Sequence, residues 1–253
     1  MQGISLPPIV NILGIKYKVN ESFFNKWSPV MAYVLGYWYA DGSMYPSVRG
    51  SYITVTSVDQ DTIYKIKKWL GSHHIIRMRK PTWPNGKNSF ALRIGNKSLY
   101  KSLVGLGLYP DKSLTVKLPV VPDKYFDHFV RGYFDGDGCV SLYRTKGIKQ
   151  DIIIKKLSII FTSGSSDFLV SLCKILEEKL NLDQGKVYLG QRCFQLRYST
   201  EDTVKLFKFI YGNCLRKERL YLDRKFRIFE EYFKLRPSRI DVEIGLILNN
   251  MAR

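Results

Sequence analysis

One nine-residue pattern occurs twice in this chain and limits its architecture more than any other feature. Val34-Leu35-Gly36-Tyr37-Trp38-Tyr39-Ala40-Asp41-Gly42 is answered by Val130-Arg131-Gly132-Tyr133-Phe134-Asp135-Gly136-Asp137-Gly138, each residue 96 positions after its counterpart. That interval is a domain's length, so the spacing implies an internal duplication with two halves of one design. Whatever Asp41 does in one half, Asp137 is expected to do in the other.

Each motif reads as the end of a helix. Ser28-Pro29 offers a cap followed by a proline suited to a first helical turn. From Pro29 to Ala40 the residues are apolar on nearly every side, as in a helix buried between two partners. Ala32, Gly36 and Ala40 recur every four positions, as do His128, Gly132 and Gly136. Small residues stacked on one helix face let a second helix approach backbone to backbone. Ala32, Gly36 and Gly132 are therefore assigned to a helix–helix interface, and Asp41-Gly42 is expected to stop the helix through a left-handed glycine.

After each motif the period changes from helical to two. Tyr45, Ser47 and Arg49, then Tyr52, Thr54 and Thr56, alternate with apolar residues across an expected Gly50-Ser51 turn. An amphipathic helix over 59–70, strands over 75–80 and 89–94 and a helix over 97–108 complete the first unit. The second repeats the cycle: a motif helix over 126–136, strands from Ser141 and through Thr162, a helix over 167–180, a hairpin over 186–198, and helices over 203–211 and 220–234. The expected fold is α+β, a pseudo-twofold pair of αββαββα units with two antiparallel sheets. The domains read as an N-terminal extension 1–27, a first half 28–114, a linker 115–124, a second half 125–236 and a C-terminal extension 237–253.

Each sheet is predicted to hold one apolar face under its helices and to leave a polar face. The first carries Tyr45, Ser47, Arg49, Tyr52, Thr54, Thr56, Arg77, Arg79 and Arg93. The second carries Ser141, Tyr143, Lys156, Ser158, Thr162, Lys186, Tyr188, Gln195 and Arg197. Arginine reads guanine edges, glutamine reads adenine, and lysine and tyrosine hold phosphates, so such faces suit DNA. A net charge of +18 points the same way, toward a polyanion partner. No run is long enough to span a bilayer, and no unbroken apolar stretch opens the chain as a signal peptide would. Four scattered cysteines without a Cys-x-x-Cys pair fit a reducing intracellular setting, a bacterial cytoplasm or an organelle.

If the small-residue faces pack together, Asp41 and Asp137 meet at the negative ends of two helix dipoles. Two carboxylates there repel unless a cation lies between them, and hard oxygen ligands suit Mg²⁺ best. Mn²⁺ or Ca²⁺ fit the same donors, and the helix-end carbonyls of Ala40 and Gly136 are candidates to complete the set. On a DNA-binding surface such ions serve phosphodiester hydrolysis.

The two motifs, with Leu118-Pro119-x-Val121-Pro122-Asp123 and His128-Phe129-Val130-Arg131-Gly132 around the second and Gly107-Leu108-x-Pro110-Asp111-Lys112-Ser113 between them, resemble the LAGLIDADG homing endonucleases in their single-chain, two-motif form. The resemblance covers roughly residues 24–235. It implies two sheets forming a saddle on the DNA major groove, motif helices at the interface, and Asp41 and Asp137 binding divalent metal. Each would cut one strand across the minor groove and leave short 3′ overhangs. The implied partner of this expected monomer is a long, partly asymmetric double-stranded DNA site, with cutting that mobilises the host intron or element. Intron RNA, bound by a maturase, and a catalytically silent DNA-binding regulator are the alternatives. Two departures stand out. Tyr39 replaces the acidic residue that Asp135 provides, and Ser57 and Ser163 stand where the family often has glutamine or lysine. Lys97 is the candidate basic residue near the cleft.

Overall fold

The computed structural model describes residues 17–48, 50–82, 84–146, 152–183, 185–214, 218 and 220–251, without the side chains of 146 and 152–155. The first half runs α1 (Pro29–Asp41), β1 (Gly42–Ser47), β2 (Gly50–Ser57), α2 (Gln60–Trp69), β3 (Ile76–Arg79), β4 (Ser89–Gly95) and α3 (Lys97–Gly105). The second runs α4 (Phe126–Asp137), β5 (Gly138–Lys146), β6 (Ile152–Ser163), α5 (Ser166–Leu180), β7 (Lys186–Leu189), β8 (Phe194–Tyr198) and α6 (Thr200–Gly212), and continues into α7 (Asp223–Leu235) and α8 (Val242–Met251). Each half forms a four-stranded antiparallel sheet, in the matching orders β1-β2-β4-β3 and β5-β6-β8-β7. The expected α+β duplication is the fold observed.

The motif helices are its axis. Ser28 caps α1 through the Met31 amide at 3.1 Å, with Pro29 at the first turn. A Cβ on Gly36 would lie 2.1 Å from the Phe129 carbonyl oxygen, and one on Gly132 would lie 2.0 Å from that of Tyr33. Only glycine permits so close a crossing, so α1 and α4 touch backbone to backbone. One core then runs through both halves, and every residue from Met31 to Tyr39 is buried. Tyr39 packs across the interface on Phe129 and Phe168, at 5.4 and 6.1 Å between ring centroids.

Several local expectations are corrected. Gly42 is not left-handed. Its φ of −88° is extended, and glycine is required because a Cβ would stand 2.2 Å from the Trp38 ring. Gly138 repeats this against Phe134. The first hairpin does not turn at Gly50-Ser51, where pairing has already begun with Ser47↔Gly50. The helix from Lys97 does end at Gly105, within the expected Gly105-Leu106-Gly107 stop, and left-handed Gly107, φ +90°, carries the exit. The helix expected from Leu220 starts at Asp223.

The flanking stretches also pack. Asn20 and His73 donate backbone hydrogen bonds to Leu70 and Lys18, and Phe24 is buried in the core, so this part of the segment read as an extension lies on the first half. At the other end, α8 buries Ile244, Ile247 and Met251 against α6. Among the described residues no helix is long and apolar enough to cross a membrane.

Candidate metal centre and nucleic-acid interface

The crossing of α1 and α4 brings Asp41 and Asp137 together. A Cβ added to Gly136 would stand 2.3 Å from the Ala40 Cβ and 3.5 Å from the Asp41 carboxylate. The two helices therefore end side by side, each releasing its carboxylate at the start of a sheet. Burial and the neighbouring Asp137 charge push Asp41 up to about 6, although the Tyr37 hydroxyl and the Lys225 and Lys112 cations pull the other way. Burial likewise raises Asp137, against Lys112 and Lys225. Mutual repulsion in a partly desolvated site is the condition that a cation relieves.

The donor set is sparse. Among the described residues no group of three or more His, Cys, Asp or Glu side chains could hold a metal. Two carboxylates and helix-end carbonyls fit Mg²⁺, which keeps several waters and binds through one or two carboxylates plus substrate phosphates. The last carbonyls of a helix lack intrahelical partners. Gly42 and Gly138 donate to Trp38 and Phe134, the next carbonyls go to two buried lysines, and those of Ala40 and Gly136 come next, one residue before each aspartate.

Those lysines were missed in the sequence. Lys112 Nζ donates to the Tyr39 carbonyl at 2.8 Å, and Lys225 Nζ to that of Asp135 at 2.9 Å. Tyr39 and Asp135 are equivalent motif positions, so each motif helix ends on its own buried lysine. Lys225 also donates to the carbonyls of Gly138, at 2.5 Å, and Phe134. Burial pulls Lys225 down to about 8 against the opposing pull of Asp135. A sequence signal existed in Leu108-Tyr109-Pro110-Asp111-Lys112 and its echo Leu220-Tyr221-Leu222-Asp223-Arg224-Lys225. The second copy has one residue more, which hides the match.

The same two segments lock the halves. Gly164 faces the Ser113 carbonyl so closely that a Cβ would stand 2.4 Å from it, and Arg224 forks onto Asp59 at 2.9–3.1 Å. Each segment thus holds its own motif helix and reaches the partner half's strand–helix turn.

The nominated Lys97 lies elsewhere. It is exposed and begins α3 just past Gly95, whose partner Tyr52 is three residues along β2 from Val55, the partner of Gly42. Three strand residues span about 10 Å, so Lys97 sits toward the far end of the sheet from Asp41.

Departures at the motif acquire physical reasons. Asp135 is buried and accepts from the Tyr33 hydroxyl at 2.8 Å and the Leu222 amide at 2.9 Å; burial pushes it up to about 6 despite Lys225 and Arg131. At the equivalent place, the Tyr39 hydroxyl donates to the Leu106 carbonyl at 2.6 Å. Both residues anchor the stretch after the third helix of their half. Arg131, fully buried, donates to the carbonyls of Leu220 and Ile210 at 2.6 Å and lies 2.5 Å from His128 Nδ1. Burial and Arg131 hold His128 down to about 4, so its ring is a neutral acceptor. Ser57 accepts from the Tyr37 hydroxyl at 2.9 Å, and Ser163 from the Ser165 amide at 3.1 Å, so both are buried, hydrogen-bonded residues at the ends of their strands.

The sheet faces follow the register. Tyr45↔Tyr52, Thr54↔Arg93 and Arg77↔Ala91 place Tyr45, Ser47, Tyr52, Thr54, Thr56, Arg77, Arg79 and Arg93 on one face. Ser141↔Ser158, Tyr143↔Lys156, Thr162↔Gln195, Tyr188↔Gln195 and Lys186↔Arg197 do so in the second half. Arg49 lies outside the described residues. Thr54 is corrected as a contact residue: it is buried on this face, at 7% exposure, between Ser43 and Arg93.

Residues 28–104 match the family model of the LAGLIDADG-like domain. No curated protein sequence matches the chain. Many solved structures share its fold at low identity, and three illustrate it. They are the homing endonuclease I-WcaI bound to its DNA recognition sequence (13% identity, TM-score 0.53, 79% of this chain and 89% of that one), the LAGLIDADG meganuclease I-AabMI bound to uncleaved DNA (14%, 0.51, 89% and 98%) and the LAGLIDADG homing endonuclease I-SmaMI bound to cleaved DNA (14%, 0.52, 89% and 96%). The first half thus matches a LAGLIDADG-like domain, the motif recurs in frame in the second half, and the fold of the chain is shared with LAGLIDADG endonucleases built of two such halves.

Proposed function

We propose that this protein is a site-specific double-strand DNA endonuclease that hydrolyses phosphodiester bonds with divalent cations, Mg²⁺ first, and so mobilises its host intron or element. The observation that carries the reading is the pair Asp41 and Asp137, side by side between two basic, polar sheet faces and raised by burial, with Asp41 raised also by its partner's charge. A divalent ion bound there would activate water and stabilise the leaving oxygen.

The chain's own residues supply the rest. The glycine crossing fixes the spacing of the carboxylates, and Lys112 and Lys225 hold the helix ends so that the carboxylates stay aimed. A duplex lying across both sheet faces would bring one strand near each carboxylate. Similar folds described as bound to recognition or cleaved DNA support this arrangement. A protein that only binds DNA gains nothing from two carboxylates that repel, which favours cutting over a silent regulator. RNA is disfavoured because the deep, narrow major groove of an A-form helix does not admit a sheet face.

The test needs a substrate, which comes from joining the sequences that flank the host element. With Mg²⁺ the chain should cut that junction on both strands, and Asp41→Asn or Asp137→Asn should abolish double-strand cutting while DNA binding persists. A double variant that still cuts would refute the assignment.

A further inference from the structure

The two halves carry an arginine at the same place on the sheet, and both are held before any DNA arrives. Arg93 pairs with Thr54, which pairs with Ser43. Arg197 pairs with Ile160, which pairs with Cys139. Ser43 and Cys139 are each the second residue after a motif aspartate, so Arg93 and Arg197 occupy matching rows, equally far from the centre. Both are exposed.

Each guanidinium also has a platform. That of Arg93 lies 4.1 Å from the Tyr52 ring and 4.9 Å from the Tyr45 ring, which are themselves stacked at 5.2 Å. That of Arg197 lies 5.0 Å from the Tyr188 ring, and its Nε and Nη2 donate to Gln195 Oε1 at 3.0 and 2.6 Å. Cation–π contact and the glutamine restrict a side chain that is otherwise among the most mobile. The bonds to Gln195 engage the side edge of the guanidinium and leave its terminal Nη1–Nη2 fork free. That fork is the one that reads O6 and N7 of guanine bidentately. Gln195, with its oxygen engaged, is a positioning residue and not an adenine reader.

We propose that Arg93 and Arg197 read a pair of guanines, one on each DNA strand, at positions equidistant from the centre of the target, with Tyr45–Tyr52 and Tyr188–Gln195 holding them in place. The proposal rests on the DNA-binding reading above, and one experiment separates the two. The cleavage-silent variant Asp41→Asn/Asp137→Asn, full length and in Ca²⁺, selects from a library of fully randomised duplexes. The expected consensus has guanine at two mirrored positions on opposite strands. Arg93→Ala should erase one preference and Arg197→Ala the other, each by roughly 5- to 150-fold, with all other positions kept. Tyr52→Leu should relax the Arg93 position, and Gln195→Ala the Arg197 position. A consensus without mirrored guanines, guanine preferences that survive both arginine changes, or a separate adenine lost in Gln195→Ala would overturn the proposal and leave DNA binding standing. Recovery of no sequence above the input would overturn both.

Discussion

Replacing Asp41 by asparagine should make the metal-free protein more stable. A carboxyl group held at about 6 instead of its ordinary 3.8 costs the folded state about 3 kcal/mol at neutral pH, at about 1.4 kcal/mol per tenfold change. Asparagine removes the repulsion from Asp137 but remains a polar group in a partly buried site, and burial is the larger cause of the shift. The expected gain is therefore about 1–2 kcal/mol, or roughly 3–6 °C in Tm for a chain of this size. The sign follows from proton uptake. The folded-state value is raised, so the folded protein takes the proton first as pH falls. The penalty is full above about pH 7, shrinks through pH 6 and is gone below pH 4. Wild type and variant should therefore differ most at pH 7.5 in EDTA and converge at pH 4. Added Mg²⁺ should reverse the order by stabilising the wild type. Urea denaturation across this pH range is the assay. A variant no more stable than wild type at pH 7.5, or a gap that does not close on acidification, would refute the idea that the carboxylates repel at rest.

Three further outcomes follow from the geometry. Gly36→Ala or Gly132→Leu must push backbone against backbone, so each should lower stability by about 3 kcal/mol or more, read from thermal melting. Lys225→Met leaves three carbonyls without their buried donor and Asp135 without a neighbouring cation; a loss of about 3 kcal/mol in urea denaturation is expected, whereas Lys97→Ala should change neither stability nor cutting. DNA affinity should fall steeply with salt, and charge-removing changes on the basic faces, such as Lys156→Ala or Lys186→Ala, should each reduce the log–log slope by about 1.

What could be read from the sequence was whatever repeats with the period of a helix or a strand. The small residues at every fourth position announced the crossing of α1 and α4, and alternation placed the described polar-face residues on one side of their sheets. What stayed hidden depended on contacts between distant segments. Lys112 reaches a carbonyl 73 positions away and Lys225 one 90 positions away, and no local pattern encodes such a reach. Lys97 is the candidate basic residue near the cleft, but strand direction carries it toward the other end of its sheet. Gln195 is of the residue type that reads adenine, and nothing local shows that its oxygen accepts from Arg197. Gly42 ends the helix as expected but not through a left-handed turn, since the space beside Trp38 and not a positive φ demands glycine.

The position of the candidate centre is thus set by the core, which makes Gly136 a sharp probe. It lies on the crossing face, one residue before Asp137, and an added Cβ would meet the Ala40 Cβ at 2.3 Å and the Asp41 carboxylate at 3.5 Å. Two methyl-sized groups need nearly 4 Å, so Gly136→Ala must part the helix ends by about 1 Å or more. At the end of a crossing this costs little packing, about 1–3 kcal/mol. The carboxylates ride on those same ends, and a displacement of about 1 Å at a reacting centre can lower a rate about a hundredfold. Gly136→Ala should therefore lose cleavage far out of proportion to stability, with DNA binding intact, when cutting, melting and affinity are measured on one preparation. Cleavage at the wild-type rate in a folded variant would mean that the spacing of Asp41 and Asp137 does not control the reaction.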